Sequence, residues 1–339
     1  MRPKALRDIP RPWYENGVKD ASRDGKFGEI LTEDEFLGMM QVVDVFDLVF
    51  LEGAFQAEVL KKLKAHPILG AMPELSRMEK NSMEEAKIKE LVDSHKAEGM
   101  YFEDKLVGCV KQAHDIDVAL SHHVMFENLV GKASSVIALQ LLLHKTDLNG
   151  EDVDYIIECS EEACGDMNQR GGGNFAKSIG ELCGCVNATG SDTRSFCAGP
   201  AHAFVEASAL VGAGVYENVV IVAGGCTAKM GMNSKNHVEK GMPVLEDCLG
   251  AFAIHIGKND GVSPIILSLI HILRRFAVAA IQIITNNPLV WEAYPNHSVV
   301  IDGDVKSVYT AADVYKRQII FFVTIKEIFS KNQGFMVCP

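Results

Sequence analysis

The sequence predicts an α/β protein with a mostly parallel sheet covered by helices on both faces. Three observations carry that expectation. Residues 153–159 and 218–224 are short, β-branched and largely apolar, the composition of buried strands. Stretches of helical period lie around them, at 132–144, 175–182 and 198–212. Strands and helices that alternate in this way read as a sheet joined by crossover helices.

The elements follow in order. Residues 1–30 read as irregular, with Pro10, Pro12, Asn16 and Gly17 as loop chemistry. Thr32 and Glu35 fit a capping box, and Phe36, Met39, Met40 and Val43 continue it as a helix to about Val49. Phe55, Val59, Leu60 and Leu63 predict a second helix over 54–65, ended by His66 and Pro67. Ser82 and Glu85 read as a second capping box, with a helix through Ile88, Leu91 and Val92. Residues 1–100 are thus expected to be a helical, charged, peripheral region without chemistry of its own. Residues 106–110 read as a short strand, and the helix at 132–144 ends in the polar run 146–150. A buried strand or turn is expected within 185–193, and a further strand at 249–256.

Composition narrows the function. Apolar residues make up 47% and charged residues 23% of 339, which excludes disordered, collagenous and low-complexity classes. With Lys+Arg 33 and Asp+Glu 45, the net charge is −12. An acidic chain with scattered basic residues is a poor binder of nucleic acid or anionic membrane, and neither is expected as a partner. The start at Met1 carries no apolar signal segment, so a cytoplasmic location is expected, with the nine Cys as free thiols. No uninterrupted apolar run approaches the ~20 residues of a spanning helix. The nearest, 265–284, is broken by His271, Arg274 and Arg275.

The sequence changes character after Ile266. Residues 313–318 back-translate to GAT GTG TAT AAG AGA CAG, and the opposite strand of that word, CTG TCT CTT ATA CAC ATC, encodes residues 267–272. The word resembles the transposon end used to build sequencing libraries. Residues 267–339 are therefore expected to be an artefactual tail, and 101–266 the unit that carries the chemistry. No function is assigned to the tail.

The informative segment surrounds Cys197. A strand-like approach meets a helix rich in small residues, with Cys197 at the turn and Ala198 and Gly199 opening the helix. The first-turn N–H groups of a helix lack intrahelical partners, and with the helix dipole they lower a thiol pKa. Ala198, Gly199, Ala201 and Ala203 would let the helix pack closely behind the nucleophile. This is the logic of a nucleophile elbow with sulfur in place of oxygen. On spacing alone, a nucleophile and a buried structural cysteine remain equally open.

Residues 187–199 resemble the active-site approach of the thiolase superfamily, in particular β-ketoacyl synthase III. The strand ending at Gly224 and Gly225 and the run 245–251 also stand in that family's order. The family has a Gly-Asp-Gly-Ala turn there; this sequence keeps Asp247, Gly250 and Ala251 but has Glu246 and Cys248 beside Asp247. Two further blocks, Trp13 and Tyr14 with 25–29, and 161–174 with Arg170, Gly171, Gly172, Gly173 and Asn174, resemble β subunits of component C of glycine/sarcosine/betaine reductase complexes. The resemblance covers roughly residues 5–266. It implies a thiolase-like first half. Cys197 would be an acyl-carrying nucleophile that accepts a carboxymethyl group from selenoprotein A as an acetyl thioester. A component C α subunit would release it with phosphate, the co-substrate, as acetyl phosphate. The Cys197 N–H would be an oxyanion donor. It further implies a substrate-side loop at Arg170, Gly171, Gly172, Gly173 and Asn174, a turn near the site at Gly224, Gly225, Asp247 and Gly250, thiolase-type dimerisation and no bound cofactor. The family's second half supplies a His and a second His or Asn; it is absent here, so no catalytic His is assigned and the chain alone is expected to be inactive. The family's first strand is also absent, and Met1 is expected to be an internal start.

Two alternatives stay open. A β-ketoacyl synthase III-like acyltransferase would use CoA or acyl carrier protein, and the Trp13–Tyr14 and 170–173 blocks weigh against it. A non-catalytic interaction subunit would leave Cys197 inert to iodoacetamide. Other candidates read as structural: His202 as a helix side chain near a core or interface, Cys183 and Cys185 as core thiols rather than zinc ligands, and Cys164 as a loop thiol. His114, Asp115, Asp117, His122 and His123 read as a polar loop and helix face rather than a metal site.

Overall fold

The computed structural model describes residues 23–25, 28–103, 105–160, 174–195, 198–225, 250–261, 263 and 320–324. In chain order these form β1 (Asp24–Gly25), β2 (Gly28–Leu31), α1 (Glu33–Val43), β3 (Val49–Glu52), α2 (Gly53–Ala65), β4 (Ser82–Met83) and α3 (Glu85–Asp93). Then come β5 (Ala97–Phe102), β6 (Lys105–Lys111), α4 (His122–Lys145), β7 (Tyr155–Glu158), α5 (Phe175–Leu182) and β8 (Thr189–Asp192). The last described elements are α6 (Gly199–Gly212), β9 (Asn218–Ala223), β10 (Gly250–Gly257) and β11 (Ile320–Thr324).

The α/β class is as expected, but the sheets are mixed rather than mostly parallel. Among the described residues a seven-stranded sheet has the order β1-β2-β11-β10-β9-β7-β8, and a four-stranded sheet the order β4-β3-β6-β5. β7 runs parallel to both β8 and β9. β10 runs antiparallel to β9, with Phe252 opposite Ala223 and Gly257 opposite Asn218. The strand from the tail, β11, lies between β2 and β10.

Strand alternation sorts the central side chains onto two faces. Val219, Ile221 and Ala223 join Ile157 and Ile254 in a cluster with Ala203 and Ala207 of α6. Val220 and Val222 join Ile156, Ala251 and Ala253 in the larger cluster that holds α4, α5 and α1. Both faces are therefore covered. The 24-residue α4, about 36 Å long, is the spine of the larger cluster. It is the one helix among the described residues that is long and apolar enough to cross a membrane, yet 83% of its apolar window is buried inside the protein. The helix predicted at 132–144 is the C-terminal half of this element.

Several boundaries differ from the expectations. The helix predicted to reach Val49 ends at Val43, because the Asp44 carboxylate accepts N–H bonds from Phe46 at 3.0 Å and from Val49 at 2.8 Å and turns the chain into β3. Its start is as read: Thr32 N donates to Glu35 at 3.1 Å. The second capping box does not form. Ser82 and Met83 pair with Leu51 and Glu52 as β4, and the helix begins at Glu85. Helix predominates among the described residues up to 100, but β3, β4 and the start of β5 also lie there, and a boundary at 100 would cut β5. These residues are not peripheral: Met39, Met40, Val42 and Val43 of α1 are fully buried in the larger cluster. These strands have two to six residues, too few for a period-2 pattern to stand out. β8 falls in the predicted region but is a half-exposed edge strand rather than a buried one.

Candidate functional site

The parallel strands β7, β8 and β9 all end at one edge of the sheet. Antiparallel β10 begins there, since Phe252 lies opposite Ala223 and Gly250 extends beyond it. In open α/β sheets, ligands bind outside the carboxyl ends of the strands. The sequence-derived site residues that are described gather at this edge. Ala198 and Gly199 open α6, Asn174 caps α5, Gly224 and Gly225 follow β9, and Gly250 starts β10. Cys197, Arg170, Gly171, Gly172, Gly173 and Asp247 lie outside the described residues, as does Cys164.

The start of α6 presses on the end of β7. A Cβ on Gly199 would lie 3.3 Å from the Cys159 carbonyl oxygen and 3.5 Å from its Cβ, so the closest approach is made by a residue without a side chain. The helix buries Gly199, Ala203 and Ala207, one stripe at a spacing of four. This corrects the set read from the sequence: Ala198 is exposed and Ala201 half-buried, whereas Ala207 belongs to the stripe. Pro200 occupies the first turn, where its missing N–H costs nothing, and Ala198 provides no side-chain cap. Among the described residues no side chain is seen to cap the remaining first-turn N–H groups of α6.

The second helix start is closed. The Asp192 carboxylate, at the end of β8, accepts from Phe175 N and Ala176 N at 3.0 Å each. Asn174 accepts from Lys177 N at 2.7 Å and donates to Gly190 O at 2.6 Å. Asn174 is thus the N-cap that ties α5 to β8, which is a structural task distinct from the substrate-side role expected of it.

Between the two helix starts lies an ion pair that the sequence reading missed. Glu158, the last residue of β7, is fully buried, and Arg194 Nη1 sits 2.6 Å from its Oε2. Ser160 N donates to Glu158 Oε1 at 2.7 Å, and Thr193 N donates to the Glu158 carbonyl at 2.7 Å. Thr193 Oγ1 reaches Glu206 of α6 at 2.7 Å. The segment 192–194 is therefore held by bonds on three sides just ahead of residues 195–197. The signal was present in the sequence: a carboxylate closing an apolar strand and an arginine three positions before Cys197.

The structural candidates fall elsewhere. Cys183 and Cys185 are buried at the end of α5, and Cys183 Sγ is 3.6 Å from the Val136 carbonyl. Burial pushes the Cys185 thiol up to about 12 and Cys183 well above its ordinary value. His202 is exposed on α6. His114 Nδ1 accepts from Ile116 N at 3.1 Å and Asp117 N at 2.9 Å, closing a loop, while His122 pairs with Glu98 at 3.0 Å. Among the described residues no group of three or more His, Cys, Asp or Glu is placed to hold a metal ion.

No family model matches the chain. It is 56% identical, over 268 residues, to the glycine/sarcosine/betaine reductase complex component C subunit beta of Peptoclostridium acidaminophilum. The match covers 78% of this chain and 52% of the relative, so the chain spans about half the length of the curated protein it matches. Solved structures similar in part include the priming β-ketosynthase of the R1128 polyketide pathway, at 22% identity and a TM-score of 0.26 over 29% of this chain and 28% of that one. A 3-oxoacyl-(acyl-carrier-protein) synthase III matches at 16% identity and a TM-score of 0.26 over 30% and 29% of the two chains.

Proposed function

We propose that this chain, homologous over 78% of its length to a component C β subunit, provides the thiol-bearing half of such a subunit in a glycine/sarcosine/betaine reductase complex. In this reading the fold is thiolase-like and Cys197 carries the acetyl group. The carboxymethyl group arrives as a selenoether on selenoprotein A. A thiol of that protein attacks the selenium, the selenium–carbon bond breaks to leave a selenosulfide, and the two electrons and a proton turn the methylene into a methyl group. The Cys197 sulfur bonds to the carboxyl carbon as one carboxyl oxygen leaves as water, which gives the acetyl thioester. An oxygen of phosphate then attacks the thioester carbonyl carbon, the carbon–sulfur bond breaks, the sulfur leaves as thiolate, and acetyl phosphate departs through the α subunit.

The identity of 56% over 268 residues is the observation that carries the proposal. That length is close to the part of the chain ahead of the seam at Ile266, and so also supports leaving the tail out of the function. The geometry is consistent with the chemistry. α6 opens at the edge where the parallel strands end, its start lies against β7, and its N-cap residue Ala198 offers the first-turn N–H groups no side-chain acceptor. Such N–H groups stabilise a thiolate two residues upstream and an oxyanion on a bound carbonyl. Small side chains at Gly199, Ala203 and Ala207 permit that close approach.

The test is a labelling experiment. Selenoprotein A loaded with a radiolabelled carboxymethyl group is incubated with the complex that contains this chain, without phosphate, and the chain is digested. Label on the peptide that contains Cys197, released by hydroxylamine and discharged by phosphate, is the expected result. Label that persists unchanged in Cys197→Ser would refute the assignment.

A further inference from the structure

Gly224 and Gly225 leave β9 with both N–H groups turned inward. Gly224 N donates to Ser160 Oγ at 2.6 Å, and Gly225 N donates to Ser134 Oγ at 2.9 Å. The two acceptors come from different parts of the fold. Ser160 stands two residues beyond Glu158, the end of β7, and Ser134 lies within α4. Both are inside the protein, at 3% and 0% exposure.

Each serine is itself anchored. The Ser134 hydroxyl donates back to Val130 O at 2.8 Å, one turn earlier on α4. Ser160 is held through its backbone, since its N–H donates to Glu158 Oε1. The other oxygen of that carboxylate faces Arg194. A continuous set of polar contacts therefore runs from α4 through Gly225 and Gly224 to Ser160, Glu158 and Arg194. It crosses the ends of β9 and β7 and stops three residues before Cys197.

The glycine is required where it stands. A Cβ on Gly224 would collide with Gly131 O and with the hydroxyls of Ser134 and Ser135. The backbone is thus pressed onto α4, where an unpartnered N–H would be costly. With both N–H groups already occupied, neither Gly224 nor Gly225 is an oxyanion donor. What this turn supplies is direction: the carbonyl of each trans peptide opposes its N–H, so the Gly224 carbonyl faces away from Ser134.

We propose that Ser160, supported by Ser134, is a positioning residue of the thioester site. Its hydroxyl ties the exit of β9 to the end of β7 and so fixes where the Ser160 backbone stands, and that backbone's N–H holds the Glu158 carboxylate that pairs with Arg194 on the stretch leading to Cys197. The proposal rests on Cys197 being the acyl-carrying thiol. It extends that reading by assigning a site role to two buried hydroxyls remote from the thiol in sequence.

The experiment measures alkylation of the Cys197 peptide by iodoacetamide in the full chain, by mass spectrometry, between about pH 6 and 9. Urea unfolding is recorded in parallel for the parent, Ser160→Ala, Ser160→Thr and Ser134→Ala. The Ser160→Ala variant is expected to slow alkylation at neutral pH about tenfold, the effect of losing one well-placed hydrogen bond, and to move the pH–rate curve upward. Ser160→Thr restores the parent curve, and Ser134→Ala gives a smaller shift in the same direction. A merely structural role lowers the urea midpoint and leaves the pH–rate curve of the folded protein in place; that result overturns the proposal. Should Ser160→Ala fail to fold, an unchanged curve in Ser134→Ala overturns it equally. A parent Cys197 no faster than free cysteine sinks the thioester reading and this proposal together. A fast parent with unchanged variants sinks this proposal alone.

Discussion

The Arg194 guanidinium lies 2.6 Å from a Glu158 carboxylate that has no solvent exposure, at the end of the strand on which α6 starts. The same carboxylate accepts Ser160 N at 2.7 Å, so one buried charge joins two segments of the candidate site. Removing one partner of a buried pair costs more than replacing both, because the remaining charge stays in a poor solvent. Arg194→Met should therefore destabilise the chain by about 3 kcal/mol, the low end of the range for such pairs, since Arg194 keeps 28% exposure. The double variant Glu158→Gln, Arg194→Met should recover much of that. Urea midpoints measure both; a cost under about 1 kcal/mol would show that the pair behaves as a surface pair.

Gly224→Ala should be among the more damaging single substitutions in the described sheet. The new methyl group meets a helix backbone oxygen, Gly131 O, and cannot be relieved by a rotamer change alone. Overpacking of this kind costs about 1–3 kcal/mol, and the upper part of that range is expected. Gly53→Ala is the control, because no atom stands within 4 Å of its added Cβ. Comparable losses in the two variants would show that α4 yields to the added methyl.

Thiol chemistry should separate by burial. Burial raises Cys185 to about 12 and Cys109 to about 11, and raises Cys183 well above the ordinary value. The thiolate is the reacting species, so these three should remain unlabelled by iodoacetamide at pH 8 while the chain is folded. They should label readily in urea. Mass mapping of the three peptides under the two conditions is the measurement, and fast labelling of Cys183 in the folded chain would contradict the packing around Val136.

Acid should loosen the region around β2. Burial acts to raise the Glu29 carboxyl, but the hydrogen bond from His66, with Arg23 and Lys145, outweighs it and the net shift is downward. Asp34 behaves alike: burial acts upward, and bonds from Lys62 and Thr32 bring it below the usual value. Groups depressed by folding contribute fully above the ordinary carboxylate range, about pH 4, and lose that contribution as pH falls through their folded values. Stability should thus be level from neutral pH to about 5 and decline below about 4. The decline should be shallower in Glu29→Gln, as read from thermal unfolding across that range. A decline that begins near pH 6 would point to a histidine instead.

Much of the local architecture was legible. The helix at 175–182 matches α5 at both ends, because Asn174 is a strong N-cap and its apolar positions repeat at helical spacing. The strand at 218–224 and the helix at 198–212 match within one residue, since the first is a continuous β-branched apolar run and the second an unbroken run of helix-compatible residues opened by Pro200 in its first turn. The short strands β3 and β4 escaped notice. Ser82 and Met83 have no strand signal of their own; they are extended because Leu51 and Glu52 lie alongside. Of the site, the glycines and the start of α6 were read from residue type. The Glu158–Arg194 pair was not, although a carboxylate closing an apolar strand was its signal, and the two serines were not, because a Ser in sequence does not show whether it meets water or a buried N–H.

By itself the sequence determined the α/β class, the order of most helices and strands in the second hundred residues, and the place where α6 starts. Those properties depend on neighbours within one or two turns of chain, where side-chain period and backbone preference act directly. Tertiary structure alone decided that β10 returns antiparallel to β9, that the ends of β7, β8 and β9 share an edge with the start of β10, and that Ser134 and Ser160 hold Gly225 and Gly224. Ser134 and Gly225 are 91 residues apart in the chain, and only the packing of α4 against the sheet brings a hydroxyl to that amide.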